Sequence, residues 1–383
     1  MTWPNVTINQ LNQRQGVINE IERTVLFIGH AHDGAATVGD LIMLNSQSDI
    51  DVELTDASDI LRENLRAAQL NAGQNWQAYA LIVPAGADAA AKVEAIRNVQ
   101  PMISVEGVVS IGDLSADTTA ADIGIFSALR EELISKLGRW VWFMLAVPGP
   151  LKGGAPKSWA QYLEKLSTNA TGKAAHAVQL VPALWGNEVG ALAGRLCHRS
   201  VTIADSPARV KTGALVGLSS DLPVDSAGVE LSLAHLRAMH DLRYSVPMWY
   251  ADYEGMYWSD GLTLEVKGGD YPVIEYLRIV DKAARRVRLQ AIAKIGDRSL
   301  NSTPGSIAAH KTYFSRTMRD MSRSAQINGV TFPGEVKPPR EGDVAIVWSD
   351  ANTVSVYLIV RPYESPKAIT VSIMLDTSLE AQS

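Results

Sequence analysis

The pattern that decides the fold lies in residues 79–111, whose sequence is YALIVPAGADAAAKVEAIRNVQPMISVEGVVSI. An apolar run at 79–84 has the length of a buried strand, an alanine-rich stretch at 88–99 has helical spacing, and a second apolar run follows at 105–111. Strands that alternate with helices in this way are typical of a layered α/β domain with a largely parallel sheet. The same alternation extends in both directions, so we predict an α/β domain over residues 23–150.

The remainder of the chain has a different organisation. Residues 148–156 are rich in Gly, Pro and Lys, which is typical of a linker, and beyond them helices and strands no longer alternate regularly. We therefore predict a second, mixed α+β region over residues 151–365. The fold class is α/β plus α+β, with extended arms at the two ends, residues 1–22 and 366–383.

The composition excludes several classes of protein. The chain has 383 residues, of which 46% are apolar, and its net charge is −6. This charge gives no global attraction to nucleic acid, and no apolar stretch reaches the ~18 residues that a membrane span needs. Residues 1–15 are polar and do not resemble a signal peptide. Because Cys197 is the single cysteine, no internal disulfide is possible, and we expect a soluble protein that folds in a reducing compartment.

Three polar residues after the first predicted strand resemble part of a metal site. His30, His32 and Asp33 could ligate zinc or iron, which makes a metal-dependent hydrolase one alternative function. The other five histidines show no paired spacing that would complete such a site. A polar turn is therefore the simpler interpretation, and we assign no catalytic, metal-binding or cofactor-binding residue.

A cluster of aromatic residues suggests a second alternative. Residues 249–258 contain two tryptophans and three tyrosines, interspersed with carboxylates. Aromatic rings beside carboxylates can bind carbohydrate, but the same composition also describes a packing cluster, because large rings bury much apolar area. Packing is the interpretation that we favour.

Basic charge is concentrated in one segment. Residues 271–323 contain eleven Lys/Arg and four Asp/Glu, which gives this segment a net charge of +7. Because the whole chain has a net charge of −6, the remaining residues together carry −13. Arg278, Lys282 and Arg285 have the spacing of one helix face. A solvated helix face is the ordinary explanation, but the segregation of charge predicts a surface for an acidic partner.

Both ends of the chain carry short alternating patterns. Val6 and Ile8 alternate with polar residues near the N-terminus, and Ile369, Val371 and Ile373 do so near the C-terminus. Pro362 and Pro366 separate the C-terminal pattern from the preceding strand, so this strand could complete its own sheet or pair with the sheet edge of a neighbouring molecule.

Several stretches of the second half resemble the contractile tail sheath subunits of bacteriophages, specifically the short sheaths. The resemblance is densest over residues 185–376 and only architectural before them. It is carried by GALAGR (190–195), TIADSPARV (202–210), WYADYEGMYWSDG (249–261), GDYPVIE (269–275), LRIVDKAARRVR (277–288) and PGE (333–335).

The resemblance implies a virion structural protein with no enzymatic activity. Sheath subunits form stacked six-membered rings around a tube, are joined by exchanged arms, and contract to drive the tube through the host envelope. Implied partners are further copies of the chain, an acidic tail tube protein, and baseplate and tail terminator proteins, with no nucleic acid and no membrane insertion by the sheath itself. Assembly would take place in the cytoplasm of the host bacterium.

The resemblance also assigns roles to particular residues. The α/β domain would lie on the outside of the sheath. The competing hypothesis is a carbohydrate-binding tail component that uses the aromatic cluster at residues 249–258. The arms would contribute Val6, Ile8, Ile369, Val371 and Ile373 to sheets of adjacent subunits. The tube-facing basic surface would be formed by Arg278, Lys282, Arg285, Arg286 and Arg288.

Overall fold

The computed structural model of this chain describes residues 21–35, 38–112 and 120–374. Val6 and Ile8 of the predicted N-terminal arm lie outside these residues. The strands are β1 (Thr24–His30), β2 (Leu41–Asn45), β3 (Gln77–Val83), β4 (Gly107–Ser110), β5 (Trp142–Pro148), β6 (Val178–Ala183), β7 (Pro247–Tyr250), β8 (Tyr253–Trp258), β9 (Ala325–Ile327), β10 (Val330–Phe332), β11 (Val344–Trp348) and β12 (Val354–Leu358). The α-helices are α1 (Ile50–Glu53), α2 (Asp59–Ala72), α3 (Ala89–Val99), α4 (Ala120–Leu137), α5 (Trp159–Ala170), α6 (Glu188–Cys197), α7 (Leu233–Asp241), α8 (Ile274–Ile292) and α9 (Pro304–Met321).

A six-stranded sheet in the order β2-β3-β1-β4-β5-β6 forms the centre of the described chain. Strands β3, β1, β4, β5 and β6 run parallel, and β2 joins one edge antiparallel to β3. Strands that are covered on both faces are continuously apolar, and β5 is buried along its whole length. The prediction of a layered α/β domain with a largely parallel sheet is confirmed.

Helices cover both faces of this sheet. Alternate residues of β1 face opposite ways: Val25 and Phe27 pack in one cluster with α2, α6 and the start of α8. Leu26 and Ile28 pack in the other with α3, α4, α5 and α7. This period of two is what a strand imposes on its side chains, and it divides the core between the two helical layers.

Helices α2 and α6 lie in close contact because two glycines have no side chain. A Cβ atom at Gly190 would lie 1.9 Å from the Asn64 carbonyl oxygen, and one at Gly194 would lie 2.3 Å from the Ala68 carbonyl oxygen. Asn64 also accepts a hydrogen bond from the Gly190 N–H at 2.9 Å. The two glycines therefore allow the backbones of α2 and α6 to approach closely.

The sheet continues past residue 150, where the sequence places the end of the α/β domain. Strand β6 pairs with β5 from the far side of the Gly/Pro-rich stretch 148–156, so this stretch is a loop within the sheet domain. Helices α5, α6 and α7 also pack on the sheet. The mixed α+β part is formed by α8 and α9 with the hairpins β9–β10 and β11–β12.

None of the helices in the described part of the chain combines the length and the apolar character that a bilayer crossing requires.

Candidate assembly surfaces

The predicted basic surface begins with Arg278 on α8, and the structure buries this residue. Its side chain is 2% exposed, and that of its partner Glu106 is 0% exposed. The Arg278 Nε atom donates to Glu106 Oε1 at 2.6 Å, and Nη2 donates to Glu106 Oε2 at 2.8 Å and to the Leu196 carbonyl oxygen at 3.0 Å. Burial acts to raise the pKa of Glu106, but the Arg278 charge and its hydrogen bonds hold that pKa below its usual value. Both groups are therefore charged inside the protein.

Further along α8, two more ion pairs attach the helix to other parts of the chain. Asp281 accepts two hydrogen bonds from Arg130 of α4, at 2.7 and 3.0 Å, and both side chains are at most 5% exposed. Lys282 donates to Glu335 at 2.8 Å and is 7% exposed. Helix α8 thereby connects helix α4 of the sheet domain with the segment that follows β10.

Arg285 connects α8 with Glu22, near the start of the described chain. Its Nη2 donates to Glu22 Oε1 at 2.7 Å, and its Nη1 donates to the Trp140 carbonyl oxygen at 3.1 Å. Only 13% of its side chain is exposed.

Arg278, Lys282 and Arg285, which the resemblance places on a tube-facing surface, therefore lie largely buried within this subunit. The helical spacing does place them along one side of α8, but that side faces acidic partners from the sheet domain and from both ends of the chain. Arg286 is half-buried, and Arg288 is exposed.

Exposed basic charge lies on α9 instead. Arg316 and Arg319 are exposed, and so is Arg323, which follows the helix. Arg316 and Arg319 are three residues apart and share one face of α9, and Arg323 lies two residues beyond the last residue of the helix, Met321. Asp320 lies 3.7 Å from Arg316 and 3.3 Å from Arg323, in contacts that remain open to solvent. A partner can reach this stripe, as it can reach the other exposed basic residues of the segment, Arg288, Arg298 and Lys311.

Over residues 369–374, the described part of the predicted C-terminal strand, the chain forms no strand within its own subunit. Ile369, Val371 and Ile373 are 77%, 75% and 91% exposed, and no regular element is assigned to residues 369–374. Apolar side chains of this size at alternate positions normally face a core. Here they face solvent in the isolated subunit.

The hairpin β11–β12 offers edges at which such a strand could pair. Among the described residues, β11 and β12 pair only with each other, so each has one edge free of strand partners. Val344 and Ile346 of β11 pack on Phe314 of α9. The sheet is thus fixed to the subunit on one face while its two edges remain available.

Comparison with known proteins identifies the family. The model of the DUF2586 N-terminal domain matches residues 3–262, and that of the DUF2586 C-terminal domain matches residues 270–378. A protein of Haemophilus phage HP1 (strain HP1c1) that is described as a tail sheath protein is 49% identical over 376 residues, covering 98% of both chains. The chain belongs to the DUF2586 family of tail sheath proteins. The boundary between the two matched domains falls just before α8 of this sheath protein.

Solved structures with the same fold are also sheath proteins. The sheath of the PVC extracellular contractile injection system in its contracted state has a TM-score of 0.62 and 14% identity, covering 98% of both chains. The contracted helical sheath of the anti-feeding prophage has a TM-score of 0.59 and 13% identity, covering 98% of this chain and 100% of that one. A sheath tail protein from Desulfitobacterium hafniense has a TM-score of 0.52 and 10% identity, covering 94% and 96%.

The metal-hydrolase alternative finds no support in this sheath protein. His30 is 5% exposed, and its Nε2 lies 2.8 Å from the Ala87 carbonyl oxygen. The Nδ1 of His32 lies 2.8 Å from the backbone oxygen of Asp33, so neither pairing forms a cluster of ligands. In residues 21–35, 38–112 and 120–374, no group of three or more His, Cys, Asp or Glu could hold a metal ion.

The aromatic residues 249–258 form the hairpin β7–β8, and the carbohydrate-binding alternative is likewise unsupported. Tyr250, Tyr253 and Tyr257 contact one another at ring-centroid distances of 5.6–6.3 Å. Trp258 is 1% exposed within the core. Packing explains Tyr257 and Trp258, which are 5% and 1% exposed, while Tyr250 and Tyr253 remain 43% and 55% exposed in the isolated subunit.

The partners of the basic residues on α8 were missed by sequence reasoning, although one of them had a signal. Glu106 lies within an otherwise apolar strand pattern at 105–111, and a carboxylate in a buried strand requires a compensating charge. That signal indicates that a partner exists. It does not indicate that Arg278 is that partner, because 172 residues separate the two.

Proposed function

We propose that this sheath protein polymerises as stacked six-membered rings around an acidic tail tube and contracts to drive the tube through the host envelope. The observation that carries the proposal is the solvent exposure of apolar residues in the C-terminal arm. Its apolar residues Ile369, Val371 and Ile373 are 75–91% exposed and have no strand partner in the described part of the subunit. A second copy of the chain would supply the sheet that buries them.

The acceptor in this proposal is the β11–β12 sheet. An added strand gains main-chain hydrogen bonds from an open edge, and its alternate side chains determine the register. The sheet has two open edges among the described residues, and the chain has two predicted arms. One arm from each of two neighbours, carrying Val6 and Ile8 or Ile369, Val371 and Ile373, could therefore occupy the two edges.

Such links suit a sheath that changes length. From residue 368 to residue 383 the C-terminal arm can span up to ~55 Å when extended. The hydrogen bonds of an added strand do not depend on the angle between the domains that it joins. Subunits could therefore rotate during contraction while they remain connected.

The tube-facing surface in this proposal is the stripe on α9 rather than the buried part of α8. Arg316 and Arg323 have side chains that are 73% and 79% exposed, and Arg319 lies between them in the sequence and is also exposed. Solvent-exposed ion pairs are each worth only ~0–1 kcal/mol, so contacts with an acidic tube would break one after another. New contacts between subunits would then supply the energy of contraction.

We propose a mechanical role without catalysis, in the virion, with assembly in the host cytoplasm. Baseplate and tail terminator proteins would bind the two ends of the assembled sheath. These partners are proposed by analogy with the sheath systems that share the fold.

Electron microscopy of the purified protein tests the proposal directly. We expect hollow rods or rings at high protein concentration. A variant that ends at residue 368 keeps Lys367 and its ion pairs, so it should remain folded by circular dichroism, but it should not polymerise because it lacks the alternating residues from Ile369 onward. A matched control, Glu364→Gln, changes one exposed charge just before the arm and should polymerise normally. A strictly monomeric parent protein would contradict the proposal.

A further inference from the structure

The C-terminal segment is attached to its own subunit at one position that the sequence did not reveal. Lys367 lies in an otherwise exposed stretch, but its side chain is only 31% exposed and its Nζ enters the protein. There it donates to Ser206 Oγ at 2.8 Å, to Glu275 Oε1 at 2.8 Å and to Asp260 Oδ1. One ammonium group thus contacts three side chains of the body.

The pocket that receives Lys367 is acidic and buried. The side chains of Asp260 and Glu275 are 9% and 3% exposed. Within the described residues, Glu275 Oε2 is buried without a hydrogen-bond partner. Two carboxylates therefore face a single lysine, and without that lysine they would repel each other in a place that water barely reaches.

The other contacts of this segment lie before Lys367. Pro362 forms a bridge with Val336, and Glu364 pairs with Lys337 on the surface, where Glu364 is 81% exposed. Beyond Lys367, residues 368–374 are exposed and make no regular structure. Lys367 is therefore the last point at which the described C-terminal segment enters the body of the subunit.

We propose that the pocket formed by Asp260, Glu275 and Ser206 is a receptor for Lys367, which fixes the point where the C-terminal arm leaves the subunit. The role of the arm in assembly rests on the proposed sheath function, but the attachment itself does not. With the base fixed, only the residues beyond 367 are free to reach a neighbour. The pocket thereby sets the origin and the usable length of the donated strand.

A spin label at residue 365 tests the attachment in unassembled subunits. The label is placed with Ser365→Cys, and the native thiol does not compete, because burial raises the pKa of Cys197 to about 12. We expect restricted motion of the label in the parent, in Lys367→Arg and in the control Glu364→Gln. In the variant Lys367→Met/Asp260→Asn/Glu275→Gln, which leaves no buried charge unpaired and whose folding is checked by circular dichroism, the spectrum should change to that of a freely rotating label. Equal mobility in the parent and in this folded variant would overturn the proposal.

Polymerisation tests the consequence for assembly. Lys367→Met leaves two buried carboxylates unpaired and could unfold the subunit, so the triple variant Lys367→Met/Asp260→Asn/Glu275→Gln removes the charge of the pocket as well. We expect this variant to be folded and its critical concentration for polymerisation to rise at least about tenfold. Glu364→Gln should stay within about twofold of the parent.

The outcomes separate this proposal from the sheath function. Normal polymerisation of the folded triple variant would overturn the role of the attachment and leave the sheath proposal intact. A parent that never polymerises would contradict the sheath proposal, and the spin label would still decide whether Lys367 fixes the segment.

Discussion

Arg278 and Glu106 are joined by two hydrogen bonds of 2.6 and 2.8 Å, although 172 residues separate them in the sequence. The pair is one of a series along α8, which also bonds to Arg130 of the sheet domain and to Glu335 near the C-terminus. The basic helix is thus the element that connects the two parts of the subunit.

Removal of Arg278 should strongly destabilise the protein. Arg278→Met leaves Glu106 charged and buried, with no ion-pair partner among the described residues and only the Arg23 N–H as a hydrogen-bond donor, and the loss of one member of a buried pair costs about 3–5 kcal/mol. Glu106→Gln in the same chain should recover part of this loss. Chemical denaturation followed by circular dichroism measures both. Arg316→Met, which removes an exposed arginine of α9, serves as the control and should leave the free energy of unfolding unchanged; an equal loss in that variant would contradict the prediction.

The same pair predicts a dependence of stability on pH. The pKa of Glu106 is lower in the folded protein than its ordinary value of 4.5. Its contribution to stability is therefore present above that ordinary value and is lost as the pH falls through the folded pKa. From neutral pH to about pH 3, the parent should lose more free energy of unfolding than Arg278→Met/Glu106→Gln does. Parallel pH profiles for the two proteins would show that the pair does not titrate in this way.

The central sheet could be predicted from the sequence because its signals are local. Apolar runs of strand length alternate with capped helices, and each element can be recognised within its own residues, as at 79–111. The hairpin β9–β10 also had a local signal that was missed. Asn328 and Gly329 both have positive φ values of 49° and 78°, and Asn-Gly between short strands is typical of a two-residue hairpin turn.

The role of α8 could not be predicted in the same way. Spacing shows that Arg278 and Lys282 share a side of the helix, but an exposed side and a side that faces buried carboxylates have the same spacing. The partners are supplied by tertiary contacts with Glu106 and Glu335. Lys367 is a similar case, because a lysine between a proline and an alternating strand carries no local sign of burial.

Gly190 provides a test of the packing between α2 and α6. In Gly190→Ala the new Cβ would lie 1.9 Å from the Asn64 carbonyl oxygen, so the helices must separate, and we expect a loss of about 1–3 kcal/mol in thermal or chemical denaturation. The matched control is Gly124→Ala on α4, where a Cβ meets nothing within 4 Å. That variant should gain up to about 1 kcal/mol from helix propensity. Equal effects of the two substitutions would show that the close approach is unimportant.

The exposed stripe on α9 predicts a salt-sensitive contact with the tube. Reversal of charge in Arg316→Glu/Arg319→Glu/Arg323→Glu should weaken co-sedimentation of the sheath with purified tubes, because the proposed partner is acidic. It should not affect folding, since the side chains of Arg316 and Arg323 are 73% and 79% exposed. Lys152→Glu/Lys211→Glu/Arg237→Glu, which reverses three exposed charges outside α8 and α9 and changes the net charge equally, is the control. If it weakens tube binding to the same extent, the effect is one of net charge and the stripe is not the contact.

The two faces of the C-terminal arm should respond differently to a charge. Val371 lies on the apolar side of the alternating pattern and is 75% exposed in the subunit, whereas Ser372 lies on the opposite side. Val371→Asp should leave the free energy of unfolding of the subunit unchanged, because the side chain is not buried in the subunit core.

In the sheath the same residue is proposed to be buried by a neighbour. The loss of a buried valine, about 1.5–3 kcal/mol, raises the critical concentration for polymerisation at least about tenfold. Ser372→Asp adds the same charge to the other side and should polymerise near the parent concentration. The two variants have the same net charge and differ only in the side of the alternating pattern that carries it. Equal defects in polymerisation would therefore show that the arm does not bind as a strand with one buried face.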